Sequence, residues 1–238
     1  MNNNKENYYR IEPENYCKGQ FDIIITPKKP PIVTLIFLHG LGDSPLGYVD
    51  LFTGPHSPLE KDSKVILLCA PELEVTCFNN YKCRRWFDVK NRSLEKPSDY
   101  DRLNAFSNFP AITQRIEEES SFYNNDNSRI ILGGFGQGAC IALSFYLMVN
   151  SNFGGVIALS GSLFHNVNLN ILELKKKLNI FIGHGAKDSI IPLEIAEQSY
   201  QPIKPYSQYH IYPNMSHAIS NEELKDVADF IQYCIGNK

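Results

Sequence analysis

The sequence has no apolar run long enough to cross a membrane. The longest, Ala139 to Val149, is eleven residues and already contains Ser144, whereas a spanning helix needs about 20. The opening M-N-N-N-K-E-N-Y-Y-R lacks the apolar core of a secretory leader. Glu6, Glu12 and Glu14 are unlike an acid-poor transit peptide. An excess of positive charge is missing too. Lys and Arg number 23 against 26 Asp and Glu, a net charge of −3, and the pI is near 6.1. No global basic field favours nucleic acid or an anionic membrane, so neither is expected as a partner. None of the six cysteines forms C-x-x-C, and no histidine pair completes a zinc pattern. With no export signal, the cysteines read as free thiols in a reducing compartment. Cys69, Cys140 and Cys234 lie in apolar segments and read as small core residues.

What remains is ordinary globular composition: 43% apolar and 21% charged residues in 238, enough for one large domain with a real core. There is no internal repeat and no long linker. Short apolar runs predict strands at Phe21–Thr26, Ile32–Leu38, Lys64–Ala70, Arg129–Phe135, Gly155–Ser160, Asn179–Gly183 and Gln208–Tyr212. Most are continuously apolar, which suits parallel strands buried on both faces. Helical patterns fall between them: Tyr100–Glu119 with a kink or break at Pro110, Gln137–Val149, Leu193–Tyr200 and Asn221–Ile235. Ser220 reads as the N-cap of the last, with Glu223 three residues on. The alternation predicts one α/β domain over residues 20–238, a mostly parallel central sheet with helices on both faces. Residues 1–19 read as an N-terminal arm. Ligands of such sheets bind beyond the carboxyl ends of the strands.

The segment Ile130 to Ala139 reads I-I-L-G-G-F-G-Q-G-A. A strand meets a buried helix through a turn with glycines at 134, 136 and 138. In an α/β-hydrolase this is the nucleophile elbow, G-x-S-x-G. Here the central residue is Gly136, so the nucleophile position carries no hydroxyl. The competing reading is a nucleotide loop. Glycines spaced two apart do not make G-x-G-x-x-G, however, and no G-K-S/T follows. The partners of an elbow come in the order acid, then base. Asp188 lies in G-H-G-A-K-D-S, just after a predicted strand, and His217 in Y-P-N-M-S-H, just after the last one. Alone, Asp188 could be a helix cap and His217 a surface loop residue; together, downstream of an elbow, they read as the remnant of a triad. An oxyanion hole needs two backbone N–H groups, one after the nucleophile and one from an early loop. Gln137 and Leu41 occupy those positions, Leu41 within F-L-H-G-L-G-D-S-P. His39 and His184 precede glycines at strand ends and read as residues that order their loops.

At this point the chain resembles a known family, the acyl-protein thioesterases and lysophospholipase-like carboxylesterases. The matching motifs are L-H-G-L-G-D at Leu38–Asp43, A-P-x-x-x-V-T at Ala70–Thr76, R-W-F-D at Arg85–Asp88 and R-I-I-L-G-G-F-x-Q-G at Arg129–Gly138. L-S-G at Leu159–Gly161, H-G-x-x-D-x-x-x-P at His184–Pro192 and M-x-H at Met215–His217 continue the series. The likeness covers about residues 20 to 236. It implies a single-domain α/β-hydrolase that cleaves esters and thioesters of long acyl chains, S-acylated protein cysteines among them, with no metal or organic cofactor. It also implies that the loop from Glu72 to Trp86 borders the acyl channel, with Val75, Phe78, Tyr81 and Trp86 as candidates to line it. The alternative for Trp86 and Phe87 is that they pack the domain. The departures are Gly136 for the family serine, Tyr48 for a usual tryptophan, Asn214 for a usual glycine, and Ser162 where a bulky residue is frequent.

Without a side-chain oxygen at 136 no acyl-enzyme can form there. The first expectation is therefore a pseudoenzyme: the hydrolase domain used as a binding or structural subunit of a larger assembly. Protein partners, reached through the Tyr- and Asn-rich arm, and an acyl chain or lipid ligand are expected. The alternative is a serine esterase or depalmitoylase-like thioesterase whose nucleophile was engineered to Gly136, or a hydrolase with residual or rerouted activity. A third reading is an acyl-chain carrier. Ser44, Ser160, Ser162 and Ser216 fall near the expected rim, but none is on the elbow. The expected location is intracellular, the cytoplasm first, with association with a large organelle or cytoskeletal assembly left open.

Overall fold

Every run expected to be a strand enters one sheet. The computed structural model describes residues 9–17, 20–92, 99–149, 152–165 and 178–236. The sheet has eight strands: β1 (Tyr9–Cys17), β2 (Gln20–Pro27), β3 (Val33–Leu38), β4 (Ser63–Leu68), β7 (Ile130–Phe135), β8 (Gly155–Leu159), β9 (Ile180–Gly185) and β10 (Gln208–Tyr212). Their order is β1-β2-β4-β3-β7-β8-β9-β10. β1 and β2 pair antiparallel, as do β2 and β4, and every other pairing is parallel. All six residues of β3 and of β9 are buried, as strands covered on both faces must be. β2 and β3 are consecutive in the chain yet do not pair; β4 lies between them.

The helices are α1 (Val49–Thr53), α2 (Arg102–Phe106), α3 (Phe109–Ser121), α4 (Gln137–Met148), α5 (Leu193–Tyr200) and α6 (Asn221–Gly236). One face of the sheet packs Ile36 and Leu132 with Ile112 and Ile116 of α3 and Ile141 and Phe145 of α4. The other packs Leu35 and Phe37 with Phe52 of α1 and Val227 and Phe230 of α6. α4 is apolar almost all round and buries ten consecutive residues, Gln137 to Tyr146. The helix expected over Tyr100–Glu119 is two. Pro110 sits in the first turn of α3, where its missing N–H costs nothing. The Ser220 hydroxyl does cap α6, accepting the Glu223 amide at 3.1 Å.

Two pairings were not foreseen. β1 forms within the segment expected to be an arm, at the sheet edge; its Pro13 is tolerable there because an edge strand need not donate on both sides. β5 (Glu72–Val75) and β6 (Tyr81–Arg84) make a separate hairpin. It is mostly exposed and charged, so no apolar periodicity announces it. Its turn uses Asn79 and Asn80 at φ +55° and +60°, a conformation asparagine tolerates better than most residues.

Candidate active site

β7 ends at Phe135 and α4 begins at Gln137, so Gly136 makes the turn alone. Its backbone lies at φ +55°, ψ −117°, a region L side chains rarely adopt. The turn is fixed from both sides. The Gly136 N–H donates to the Leu159 carbonyl at 3.0 Å, and the Cys140 N–H donates to the Gly136 carbonyl at 3.2 Å. Gly138 lets α4 run against the end of β3: a Cβ there would collide with the Leu38 carbonyl.

Two other strand ends bring up Asp188, after β9, and His217, after β10. His217 Nδ1 lies 2.8 Å from Asp188 Oδ2. The other Asp188 oxygen accepts the amides of Ile190 at 2.9 Å and Ile191 at 2.8 Å. Burial opposes ionisation of Asp188. His217 and the two amides outweigh it and hold the carboxyl below its ordinary range. A carboxylate so placed puts the imidazole proton on Nδ1 and leaves the Nε2 lone pair free. That lone pair faces the elbow: a Cβ added at Gly136 would lie 3.4 Å from His217 Nε2. The Phe135 ring backs the imidazole, with centroids 4.7 Å apart.

Among the described residues no acceptor takes the amide N–H of Leu41 or of Gln137. Both flank the same turn, and the loops that carry them are braced. His39 donates from Nδ1 to the Gly40 carbonyl at 2.7 Å and accepts the Ala70 amide on Nε2 at 3.0 Å. Burial lowers its pKa to about 4, so it is neutral, as that pair of bonds requires. The Trp86 indole N–H donates to the His39 carbonyl at 2.8 Å. The Gln137 side chain accepts the Trp86 amide and donates to the Phe87 carbonyl, each at 3.0 Å. Buried His184 lies 2.9 Å from the Ile191 carbonyl through Nε2, and burial depresses its pKa too.

A cavity of about 660 Å³ opens on this constellation, ample for a drug-sized or acyl ligand. Gly136, Gln137, Leu41 and His217 all border it. The chain thus brings together all five residues singled out for catalysis and the oxyanion hole. The four candidates for an acyl channel fare differently. Phe78 lines the cavity. Val75 does not: it is wholly buried in the core, on the inward side of the hairpin. Tyr81 does not either, being 71% exposed at the hairpin's turn. Trp86 is buried against the loop after β3 and packs on His39, which fits the packing alternative. Residues not singled out take their places: Phe87, Val89, Tyr100, Ile190 and Ile191. Of these Phe87 was expected only as a packing residue, and Ile190 and Ile191 lie two and three residues after Asp188. Of the serines considered as substitutes, Ser160 and Ser162 are buried and Ser216 is exposed, and none borders the cavity; Ser189 does.

Sheet order, elbow and strand-end acid and base define an α/β-hydrolase. Solved structures agree on the fold: Arabidopsis thaliana SOBER1 superimposes with a TM-score of 0.71 at 24% identity, over 85% of this chain and 98% of that one. Zea mays acyl-protein thioesterase 2 does so at 0.72 and 21%, over 90% and 99%. A family model described as Phospholipase/Carboxylesterase matches residues 20–235, and the chain belongs to that family. Its relatives include acyl-protein thioesterase 1 of Debaryomyces hansenii, 31% identical over 221 residues, 85% of this chain and 91% of that protein. The Saccharomyces cerevisiae acyl-protein thioesterase 1 is 30% identical over 220 residues, 86% and 93%.

Proposed function

We propose that this chain is an acyl-protein thioesterase-like pseudoenzyme: it holds an acyl-bearing ligand in the cavity beside Gly136 and serves as a binding or structural subunit of a larger assembly. One observation carries the reading. The turn places Gly136, which has no nucleophilic atom, beside the hydrogen-bonded Asp188–His217 pair and the amides of Leu41 and Gln137. The relatives' name supplies the ligand class, a thioester or ester of an acyl chain. Asp188 and His217 are the proposed triad remnant, Leu41 and Gln137 the proposed oxyanion donors, and Phe78 a wall of the proposed acyl site. The proposed division is an arm, residues 1–19, and a hydrolase domain, residues 20–238. The arm is the proposed contact to a protein partner, since β1 lies at the edge of the sheet, where backbone groups remain open to pairing. A cytoplasmic location is proposed on two grounds. Among the described residues no helix is long and apolar enough to cross a membrane. Five cysteines, Cys69, Cys77, Cys83, Cys140 and Cys234, are free thiols.

The test is turnover of a p-nitrophenyl ester and a palmitoyl-thioester probe by the native chain and by Gly136→Ser, in plain buffer. Removing the serine of a hydrolase costs about 10⁶ in kcat, so the native chain should sit near background with no acyl adduct by mass spectrometry. Gly136→Ser should form the adduct and turn over. Robust native turnover would overturn the pseudoenzyme reading; its loss in Ser189→Ala would locate the rerouted nucleophile. Capture of an acyl thioether, which cannot be cleaved, should saturate by calorimetry with both chains.

A further inference from the structure

At Gly136 the apex of the turn carries no side chain. A Cβ at 136 would stand 3.4 Å from His217 Nε2 and 3.7 Å from the Gly40 Cα, so the space of a CH₂–OH group is bounded by the base on one side and backbone on the other. The Nε2 lone pair faces it, Asp188 fixes the imidazole from behind at 2.8 Å, and the Leu41 and Gln137 amides beside it donate to no acceptor among the described residues. A general base, two donors for a developing oxyanion and an open acyl cavity remain, without a tethered nucleophile. A free nucleophile small enough to enter meets all three.

We propose that the site catalyses direct acyl transfer from a bound ester or thioester to a small, unbranched external nucleophile stronger than water, of the class of hydroxylamine or methanol, seated between Gly136, Gly40 and His217. This rests on the proposed reading that the cavity holds an acyl ligand. The nucleophile's lone pair attacks the acyl carbonyl carbon while His217 Nε2 takes its proton. The carbonyl π pair moves onto oxygen, against the Leu41 and Gln137 amides. Collapse breaks the carbon–sulfur or carbon–oxygen bond, and the imidazolium returns the proton to the departing thiolate or alkoxide. The products are the acylated nucleophile and the free thiol or alcohol, with nothing oxidised or reduced. No acyl-enzyme forms, and the nucleophile must be bound anew at each turnover. The rate therefore stays below that of a serine enzyme, whose tethered hydroxyl gains from proximity. Selection among nucleophiles follows from the backbone on two sides: a branched alcohol meets the Gly136 and Gly40 Cα atoms.

The experiment measures p-nitrophenyl butyrate cleavage and butyryl hydroxamate formation by the full chain as hydroxylamine is raised. Methanol and 2-propanol are compared through their butyrate esters. Expected are a rate that saturates in hydroxylamine, product with methanol but not with 2-propanol, and a loss on the order of 10²-fold in His217→Ala, the usual worth of a general base. Gly136→Ala places a Cβ in the nucleophile's space and should lose the effect to a similar extent; thermal melting confirms that it folds. His217→Gln serves as the second variant if the alanine at 136 does not. A rate linear in hydroxylamine and equal in native and His217→Ala overturns the proposal, as does a folded Gly136→Ala as fast as native. Calorimetry with a butyryl thioether separates the causes. Binding without acyl transfer overturns this inference alone, whereas absence of binding overturns the cavity reading beneath it.

Discussion

Gly136 was legible as a residue because the elbow is a local pattern: glycines two apart between an apolar strand and an apolar helix. Its conformation, φ +55° and ψ −117°, is one that glycine adopts freely and serine does not. Gly136→Ser should therefore regain chemistry and lose stability. Backbone strain of this kind costs about 1–3 kcal/mol, offset by roughly 0.4–1 kcal/mol from the stiffer unfolded chain. At about 2–4 °C per kcal/mol for a domain near this size, the melting temperature should fall by a few degrees. Scanning calorimetry of the two proteins checks this, and a more stable Gly136→Ser would mean that the turn carries no strain. Trp86 marks the opposite case. Its sequence neighbourhood matched a channel-bordering loop, but its indole is bonded to the His39 carbonyl. No spacing along the chain reveals that bond, since it joins residues 47 positions apart.

One side chain ties two distant elements together at the site. Gln137 opens α4, and its amide group bridges the backbone at Trp86 and Phe87, beyond the β5–β6 hairpin. Gln137→Ala keeps the backbone N–H and removes both bonds. It leaves a buried donor and a buried acceptor unmet, a loss of about 1–3 kcal/mol by denaturant unfolding. In a Gly136→Ser background it should also lower turnover, because the segment it releases holds Trp86 against the His39 carbonyl, next to the proposed oxyanion donor Leu41. Unchanged stability would show that the 86–87 segment is anchored by other contacts. The role of Gln137's side chain went unread because the sequence marks only its backbone position, next to the elbow. α6 was legible from its 3.6-residue periodicity and α4 from an apolar run too long for a strand, whereas the run over 100–119 did not itself place the break between α2 and α3. The hairpin was not legible, because a largely exposed pair of four-residue strands, Glu72–Val75 and Tyr81–Arg84, has little apolar pattern to show.

For the whole molecule, the expected pH response above 6.5 comes from Glu223, in the first turn of α6; below 6.5 it is opposed by buried His39 and His184, whose depressed pKa values make stability rise with pH. Glu223 is fully buried against Gly183 of β9, and neither carboxyl oxygen has a hydrogen-bond partner among the described residues. Burial pushes its pKa from the ordinary 4.5 to about 8, with the Ser220 backbone opposing and the Asp226 charge adding to the rise. Below pH 4.5 the folded and unfolded chains both hold this proton. Between 4.5 and about 8 the unfolded chain releases it and the folded chain does not, so the contribution of Glu223 to stability falls as pH rises, by at most about 1.4 kcal/mol per unit. Above the folded pKa the loss levels off. Glu223→Gln stays neutral and should flatten the curve between pH 6.5 and 9, which urea unfolding over that range would measure. An equal slope in both proteins would assign the pH dependence to other groups.

Taken alone, the sequence determined the α/β class, seven of the sheet's strands, the glycine-rich turn with Gly136 at its apex, and the places of Asp188 and His217 just after later strands. Each is written locally, in hydrophobic period, turn glycines or the position of a polar residue at a strand end. Only the tertiary structure decided that β4 separates β2 from β3, that β1 extends the edge, and that Phe87, Val89 and Tyr100 rather than Val75, Tyr81 and Trp86 wall the cavity. Those outcomes depend on strand order and on which side chains from distant segments share one space. Short-range pattern carries the side a residue takes within its own element, and it carries nothing about the partner that fills the other side of a gap.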